Sequence, residues 1–403
     1  HYDQSTGILT LHNYMDFVDL TDYATLSYEL NCDGQVVSAG SVPFPGGFRL
    51  PPHADGTLPL PLDVPAKGKC FVNICYHCKQ DSALIKADHL LGFDEIPLQN
   101  SDPRNQDAVQ LLGRPAGDGL ITIRETDRML VLSCEQFTYV FNKLTGLFDK
   151  MTFANEPLLD QPMGFNVWRA PTDNDRKLKA DWYAAHYDHA ATNAYHTEYT
   201  VTASGVTLHT HVGIAAICVQ KFLDLDVTWT VANNGSVDLA LHAQRNTVFP
   251  ELPRFGLRLF LPQEMSQVNY YGMGPMECYC DKHHAASHNS YTATVWQLHE
   301  DYIRPQENGS HFDCDYVMLA GDAVRLTAVG TQPFSFNASH YTQEELTRKA
   351  HNYELEPCSS TVLCLDYAQN GIGSESCGPR LLEQYRLDDA TFNFGLRLFP
   401  EKK

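Results

Sequence analysis

The chain has 403 residues, 43% of them apolar and only 19% charged, which is long enough for two or three domains. Its formal net charge of −20 sets it against phosphate backbones and anionic lipid, so nucleic acid and membrane surfaces are not expected partners. No stretch approaches the roughly 20 continuous apolar residues of a membrane span.

The opening His1-Tyr2-Asp3 has no Met and no signal-like apolar run, and reads as a cut or tagged boundary. Alternation of period two then dominates. Leu26, Tyr28, Leu30 and Cys32 alternate with Thr25, Ser27, Glu29 and Asn31, and Asp33-Gly34 predicts a hairpin turn with the return strand starting at Val36. A second run spans Cys70, Val72, Ile74, Tyr76 and Cys78. The polar, turn-rich stretch 96–107 reads as a linker, giving domains at 1–100 and 101–403. About 100 residues suit one immunoglobulin-like sandwich. The remaining 300 exceed one sandwich core and predict two extended sheets packed face to face.

In the second part a helix is predicted over Lys177–Tyr187. Leu223, Leu225, Val227, Trp229 and Val231 predict a half-buried strand ending at an Asn234-Gly235 turn, and Phe392, Phe394, Leu396 and Leu398 predict another. Thr342-Gln343-Glu344-Glu345 matches a capping box.

Twelve cysteines invite a disulfide reading, but a chain this long needs no staples, and several sit at apolar strand positions. Reduced thiols and a cytoplasmic setting are expected. Cys75 and Cys78 lie three apart in a strand pattern, so they point to opposite faces and make a poor metal half-site. Cys278, Cys280, His283, His284 and His288 offer softer donors suited to zinc, but a surface hairpin with incidental His accounts for them as well, and no metal site is assigned. No serine-hydrolase elbow, phosphate-binding loop, dinucleotide fingerprint or zinc-protease motif is present.

Four segments are dense in aromatic and polar residues: 168–175 (WRAPTDND), 271–277 (YGMGPME), 304–309 (RPQENG), and Asp366-Tyr367 with 371–379 (GIGSESCGP). Rings beside Asp, Asn and Arg hold sugars, the ring covering C–H faces and the planar polar groups taking hydroxyls. The same residues also lock loops between strands. Composition favours neither reading.

Their order, together with FNKLTGL at 141–147, EPLL at 156–159, LPRFG at 252–256, HYTQEEL at 340–346 and LDY at 365–367, resembles the small-chain domain of glycoside hydrolase family 2 β-galactosidases over nearly all of residues 130–399. Residues 7–50 look like the immunoglobulin-like domain that precedes it. The resemblance implies an all-β chain, an immunoglobulin-like β-sandwich followed by a large galactose-mutarotase-like β-supersandwich. It also implies a retaining enzyme acting on terminal β-D-galactosides such as lactose, often oligomeric. That enzyme's two catalytic glutamates and its Mg and Na sites lie in a (β/α)₈ barrel of which this sequence shows no sign, so no catalytic residue and no cofactor is expected here and the chain is expected to be inactive alone. One family role carries over: a loop of the last domain helps form the floor for the aglycone sugar. A stacking tryptophan of the best-known member falls at Cys377, with Glu375 and Ser376 beside it as weaker candidates. The alternative for Cys377 is a buried packing thiol. For the other segments the expectation is structural, with Arg169 and Asp173 as a buried pair and Glu307 with Asn308 as a turn lock, leaving a secondary sugar contact through Arg169, Asp173 and Asn174 as the other option.

Two rival readings stand beside this one. A free-standing carbohydrate-binding or sugar-epimerising protein would need a His pair such as His209 and His211. A natural small subunit would join a separate large chain, although the extra immunoglobulin-like domain favours a truncation.

Overall fold

The computed structural model describes residues 1–98 and 102–403. Strands hold 48% of the chain and helices 10%, so the fold is all-β. It divides into two compact units, 1–109 with 287–290, and 110–286 with 291–403. Of the expected linker, residues 99–101 lie outside the described residues.

The first unit contains β1 (Tyr2–Asp3), β2 (Ile8–His12), α1 (Leu20–Tyr23), β3 (Ala24–Cys32), β4 (Gln35–Val42), β5 (Asp55–Pro59), β6 (Cys70–Cys78) and β7 (Leu90–Pro97). They form a three-stranded sheet, β1-β2-β5, and a four-stranded sheet, β4-β3-β6-β7. This is the seven-strand immunoglobulin-like sandwich. The alternating apolar residues Leu9, Leu11, Leu26, Leu30, Leu58, Val72 and Ile74 fill its core from both sheets. The Asp33-Gly34 hairpin forms as expected, with both residues at positive φ, the left-handed geometry of a two-residue turn.

The second unit begins within α2 (Gln106–Leu112) and continues with β8 (Thr122–Glu125), β9 (Met129–Ser133), β10 (Phe137–Asn142), β11 (Leu147–Phe153), β12 (Glu156–Pro157), β13 (Gln161–Asn166) and α3 (Leu178–Ala184). There follow β14 (Ala191–Thr202), β15 (Gly205–Ala215), β16 (Leu223–Ala232), β17 (Val237–Arg245), β18 (Arg254–Pro262), β19 (Gln267–Gly274) and β20 (Ser287–Thr294), of which residues 287–290 are counted with the first unit. The last elements are β21 (Ser310–Ala320), β22 (Val324–Ser339), α4 (Gln343–Arg348), β23 (Ser360–Gln369) and β24 (Thr391–Lys402). The two sheets are unequal. Strands β8 to β12 form a five-stranded sheet, and a twelve-stranded sheet runs β13-β18-β23-β22-β24-β17-β16-β15-β14, with β19, β20 and β21 joined to it beside β22. One core serves both. Trp229 of β16 is fully buried, donates its indole N–H to the Gly146 carbonyl (2.9 Å) and sits edge-on to Phe148 of β11.

The predicted helix is shorter than its sequence pattern. Asp173–Arg176 is a 3-10 turn, and α3 stops at Ala184 because His186 adopts a left-handed φ of 56°, a conformation that ends helices. Half of the capping box at α4 forms: Thr342 accepts from the Glu345 N–H (3.1 Å), while the Glu345 carboxylate turns to Arg348 and the Glu356 N–H. No helix among the described residues is long and apolar enough to cross a membrane.

Candidate functional site

The four polar segments converge in the second unit. The first correction concerns Arg169. Its buried guanidinium pairs with Asp175 (2.7 Å), not with Asp173. Asp175 is the third residue of the turn that Thr172 caps, and its second carboxylate oxygen accepts from the Thr172 N–H (2.8 Å) and hydroxyl (3.1 Å). Turn rotation therefore sends Asp175 inward and leaves Asp173 exposed, with its backbone N–H on Gln306. A second adjustment concerns the expected turn lock. Asn308 fulfils it, donating to the Gln306 carbonyl (2.9 Å) and accepting from the Glu300 N–H (3.1 Å). Glu307 instead runs inward to Arg254 (2.7 Å).

Arg254 also binds Asp366 through two nitrogens (3.1 and 2.5 Å), and all three side chains are at most 1% exposed. This explains the LPRFG segment. A Cβ at Gly256 would lie 2.3 Å from the Leu365 carbonyl and 2.5 Å from Asp366 Oδ1, so only glycine lets β18 approach β23 where the triad forms. Burial raises the Glu307 and Asp366 carboxyls above their usual range against the pull of Arg254, because one cation serves two acids. A carboxyl whose folded pKa is raised favours the folded state at low pH and loses that contribution as pH climbs from the ordinary carboxylate range through the folded value. Glu307→Gln keeps the acceptor for Arg254 and removes one titration. It should lie within about 1 kcal/mol of the parent at neutral pH and flatten the decline of the thermal midpoint over that window, as read by calorimetry across pH.

Above the triad lies a cleft of about 170 Å³ lined by Thr172, Asn174, Glu277, Tyr302, Gln306 and Ile372, among others. Glu277 is its most engaged carboxylate. Lys282 (2.8 Å), the Tyr302 hydroxyl, the Tyr279 hydroxyl (3.2 Å) and the Gly309 N–H (3.0 Å) all reach it. Burial would raise this carboxyl, but the Lys282, Tyr302 and Gly309 donors outweigh it and hold it below its usual range.

The loop 371–379 forms the rim. Arg169 donates to the carbonyls of Asn370 and Gly371, Asn174 to the Gly373 carbonyl (2.6 Å), and Arg176 to the Ser376 carbonyl (2.9 Å). Asp281 accepts from the backbone N–H groups of Ile372 (2.9 Å) and Gly373 (2.7 Å). At the tip Cys377 is a free thiol, exposed in this chain. Glu375 sits 4.0 Å from Lys177. Of the residues singled out in sequence, Arg169 and Asn174 brace this loop, Ser376 is held by its backbone, and Asp173 contributes a backbone contact. Sequence reasoning reached Glu277 only as the end of the 271–277 segment and missed Asp281 and Lys282; a lone acid flanked by Cys and Lys has no local signature of a loop anchor.

Cys278, Cys280 and the histidines do not come together. The Cys278 thiol accepts from the Phe312 N–H (3.2 Å), the Cys280 thiol faces the Gln369 and Tyr385 carbonyls, His283 lies on the Tyr279 carbonyl, and His288 belongs to the first unit, where it binds Glu95 (2.6 Å). Among the described residues no group of three or more His, Cys, Asp or Glu could hold a metal ion. His209 and His211 lie on one face of β15, His209 on the Thr228 hydroxyl and His211 between Asp224 and Asp226 (2.9 Å each).

Chemically, the cleft is built to be rigid. Glu277 is tied to Lys282 and Glu307 to Arg254, whereas a retaining glycosidase needs two carboxyl groups poised about 5 Å apart across one bond. The class defined by fold and site is thus a two-unit β-sandwich protein whose polar residues brace a surface loop. The chain belongs to the β-galactosidase small-chain family, whose model matches residues 133–398, and a β-galactosidase domain 4 model matches residues 9–99. These are C-terminal regions of glycoside hydrolase family 2 β-galactosidases. The chain is 37% identical over 394 residues to a β-galactosidase of Actinobacillus pleuropneumoniae, covering 98% of itself and 38% of that protein. It is 33% identical over 395 residues to a β-galactosidase of Staphylococcus xylosus, covering 97% and 38%. It therefore spans 38% of the length of these relatives. Among solved structures, a galactose mutarotase-like protein from Lactobacillus casei ATCC 334 overlays 68% of this chain and all of its own at 9% identity and a TM-score of 0.39, which adds nothing to the reading of the site.

Proposed function

We propose that this chain is a non-catalytic part of a retaining β-galactosidase, completing the aglycone side of an active site whose acid and nucleophile lie in a separate catalytic barrel. The carrying observation is the bracing of 371–379. Three side-chain donors and one acceptor from two other segments hold a nine-residue surface loop whose tip exposes Cys377. A loop held this way can present a sugar-facing residue at a fixed position, and fixed position is what lets remote binding contribute to the transition state. In this reading the chain's partners are the barrel and, through it, the β-galactoside, within an oligomeric cytoplasmic enzyme.

Hydrolysis of a chromogenic β-galactoside tests it, with the purified chain alone and mixed with a barrel-bearing fragment that lacks these domains. Activity only on mixing is the expected result. Turnover by the chain alone, surviving repurification, overturns the proposal. A finer expectation concerns the loop tip. A thiol covers little of a sugar face, whereas an indole stacks for about 0.5–1.5 kcal/mol. In the reassembled enzyme Cys377→Trp should lower the inhibition constant of free D-glucose, an aglycone mimic, by about two- to tenfold on that scale. An unchanged constant places Cys377 away from the aglycone.

A further inference from the structure

The first unit holds two cysteines in contact. Cys32 ends β3 and Cys70 opens β6, and the strands pair so that the two residues lie directly opposite each other. Both are free thiols, and their sulfurs are 2.7 Å apart.

The backbone explains the approach. Asp33, one residue past Cys32, donates its N–H to the carbonyl of Lys69, one residue before Cys70 (3.0 Å). The Cys70 carbonyl is turned the other way and accepts from the Leu98 N–H (3.1 Å). Cys32 and Cys70 therefore form a non-hydrogen-bonded cross-strand pair, the kind that brings side chains closest, with Cα atoms about 4.5 Å apart. That separation falls within the roughly 4.4–6.8 Å that a disulfide spans. Bridging the pair needs no movement of either strand.

The surroundings set how the pair can react. Cys70 is fully buried and Cys32 is 9% exposed, so a reagent meets Cys32 first. Gly68 keeps that sulfur uncovered: at φ 107° it carries no side chain, and a Cβ there would lie 2.4 Å from Cys32 Sγ. Burial raises both thiols above the ordinary thiol range. Thiolate is scarce at neutral pH, and exchange should quicken as pH rises. The pair also sits where the chain leaves the unit. Asp33 accepts from the N–H groups of Lys69 (3.0 Å) and Gln106 (3.2 Å). Asp102 accepts from the Gly68 N–H (2.7 Å) and the Gln106 side-chain amide (2.7 Å). A bond from Cys32 to Cys70 would tie together the two loops to which residues 102–106 are anchored.

We propose that Cys32 and Cys70 are a reversible dithiol–disulfide site, open in a reducing compartment and closed by a small-molecule disulfide. The Cys32 thiolate attacks one sulfur of the oxidant, releasing a small thiolate and leaving Cys32 in a mixed disulfide. Cys70 then gives its proton to solvent and attacks Cys32 Sγ, displacing the second small thiolate. The two protein thiols lose two electrons and two protons, which the oxidant takes up as two small thiols. This site does not depend on the aglycone reading.

Incubating the whole chain with oxidised glutathione at mildly alkaline pH, then alkylating and mapping its peptides, tests the proposal. A linked peptide pair holding Cys32 and Cys70 is expected, with the first unit's thermal midpoint raised by about 10 °C. Excess dithiothreitol should reverse both. Cys32→Ala should lose the link and the rise together, and Cys70→Ala serves the same purpose if that chain fails to accumulate. Cys218→Ser, at an exposed thiol outside the pair, should leave both effects intact. Recovery of Cys32 and Cys70 as unlinked thiols after oxidation overturns the proposal. So does a reaction that stops at a glutathione adduct on Cys32, and so does a link that lowers the midpoint, since the folded strands would then not accommodate the bond.

Discussion

Replacing Arg254 with methionine should destabilise the second unit by about 3–5 kcal/mol, the cost of breaking a buried ion pair from one side. The guanidinium is fully buried and is the cation shared by Asp366 and Glu307, which are also buried. Methionine would fill much of the volume but would leave two carboxyls in a site with little water. Against a typical total of about 5–15 kcal/mol this is a large fraction, so the variant should lose roughly 10 °C in thermal midpoint or fail to accumulate as soluble protein. A second variant separates charge from shape. Arg254→Met combined with Asp366→Leu and Glu307→Leu removes all three charges together, and replacing a buried charge cluster by apolar groups of similar volume is often neutral or stabilising. The triple variant should recover most of the lost stability in calorimetry. If the single change costs less than about 1 kcal/mol, the two acids are already protonated and Arg254 is not what neutralises them. Because Glu307 leads directly into Asn308, and Asp366 accepts from Gln369, the same experiment probes whether the triad supports the cleft above it.

The strands were legible because each carries its own signal. The alternation at 223–231 reappears as Leu223, Leu225, Val227, Trp229 and Val231 buried, with Asp224, Asp226, Thr228 and Thr230 turned outward. The hairpin turns at Asp33-Gly34 and Asn234-Gly235 were read from two residues each. Strand order was not legible. β24 lies between β22 and β17, and no local pattern encodes a pairing between segments separated by more than sixty residues. The site was legible as a set of segments and not as a set of contacts. WRAPTDND, YGMGPME, RPQENG and GIGSESCGP do meet, but which acid meets Arg169 depends on how the 172–176 turn rotates. The signal for Asp175 was present all the same: Thr172 three residues ahead of it is a capping pattern, and a capping acid faces its own helix start. Asp281 had no such signal, since its partners are backbone N–H groups ninety residues away.

Asp281 is therefore the residue whose removal should tell most about the rim loop. Its carboxylate accepts from both Ile372 and Gly373, and Gly371 packs so close that a Cβ there would lie 2.8 Å from the Asp281 carboxyl carbon. Hydrogen bonds to a charged group contribute about 1.5–3 kcal/mol, so Asp281→Ala should raise amide exchange at Ile372 and Gly373 by roughly 10- to 100-fold. The thermal midpoint should barely move, because Asp281 is only half-buried and the loop adds little to the core. Asp281→Asn keeps one acceptor and should fall between the two. In the reassembled enzyme the change should penalise lactose more than a nitrophenyl galactoside, since only the former needs a well-placed sugar in the aglycone position. Unchanged exchange would mean that Arg169 and Asn174, acting on the carbonyls of Gly371 and Gly373, already hold the loop, and the rigidity would then come from the buried guanidinium rather than from the acid at the surface.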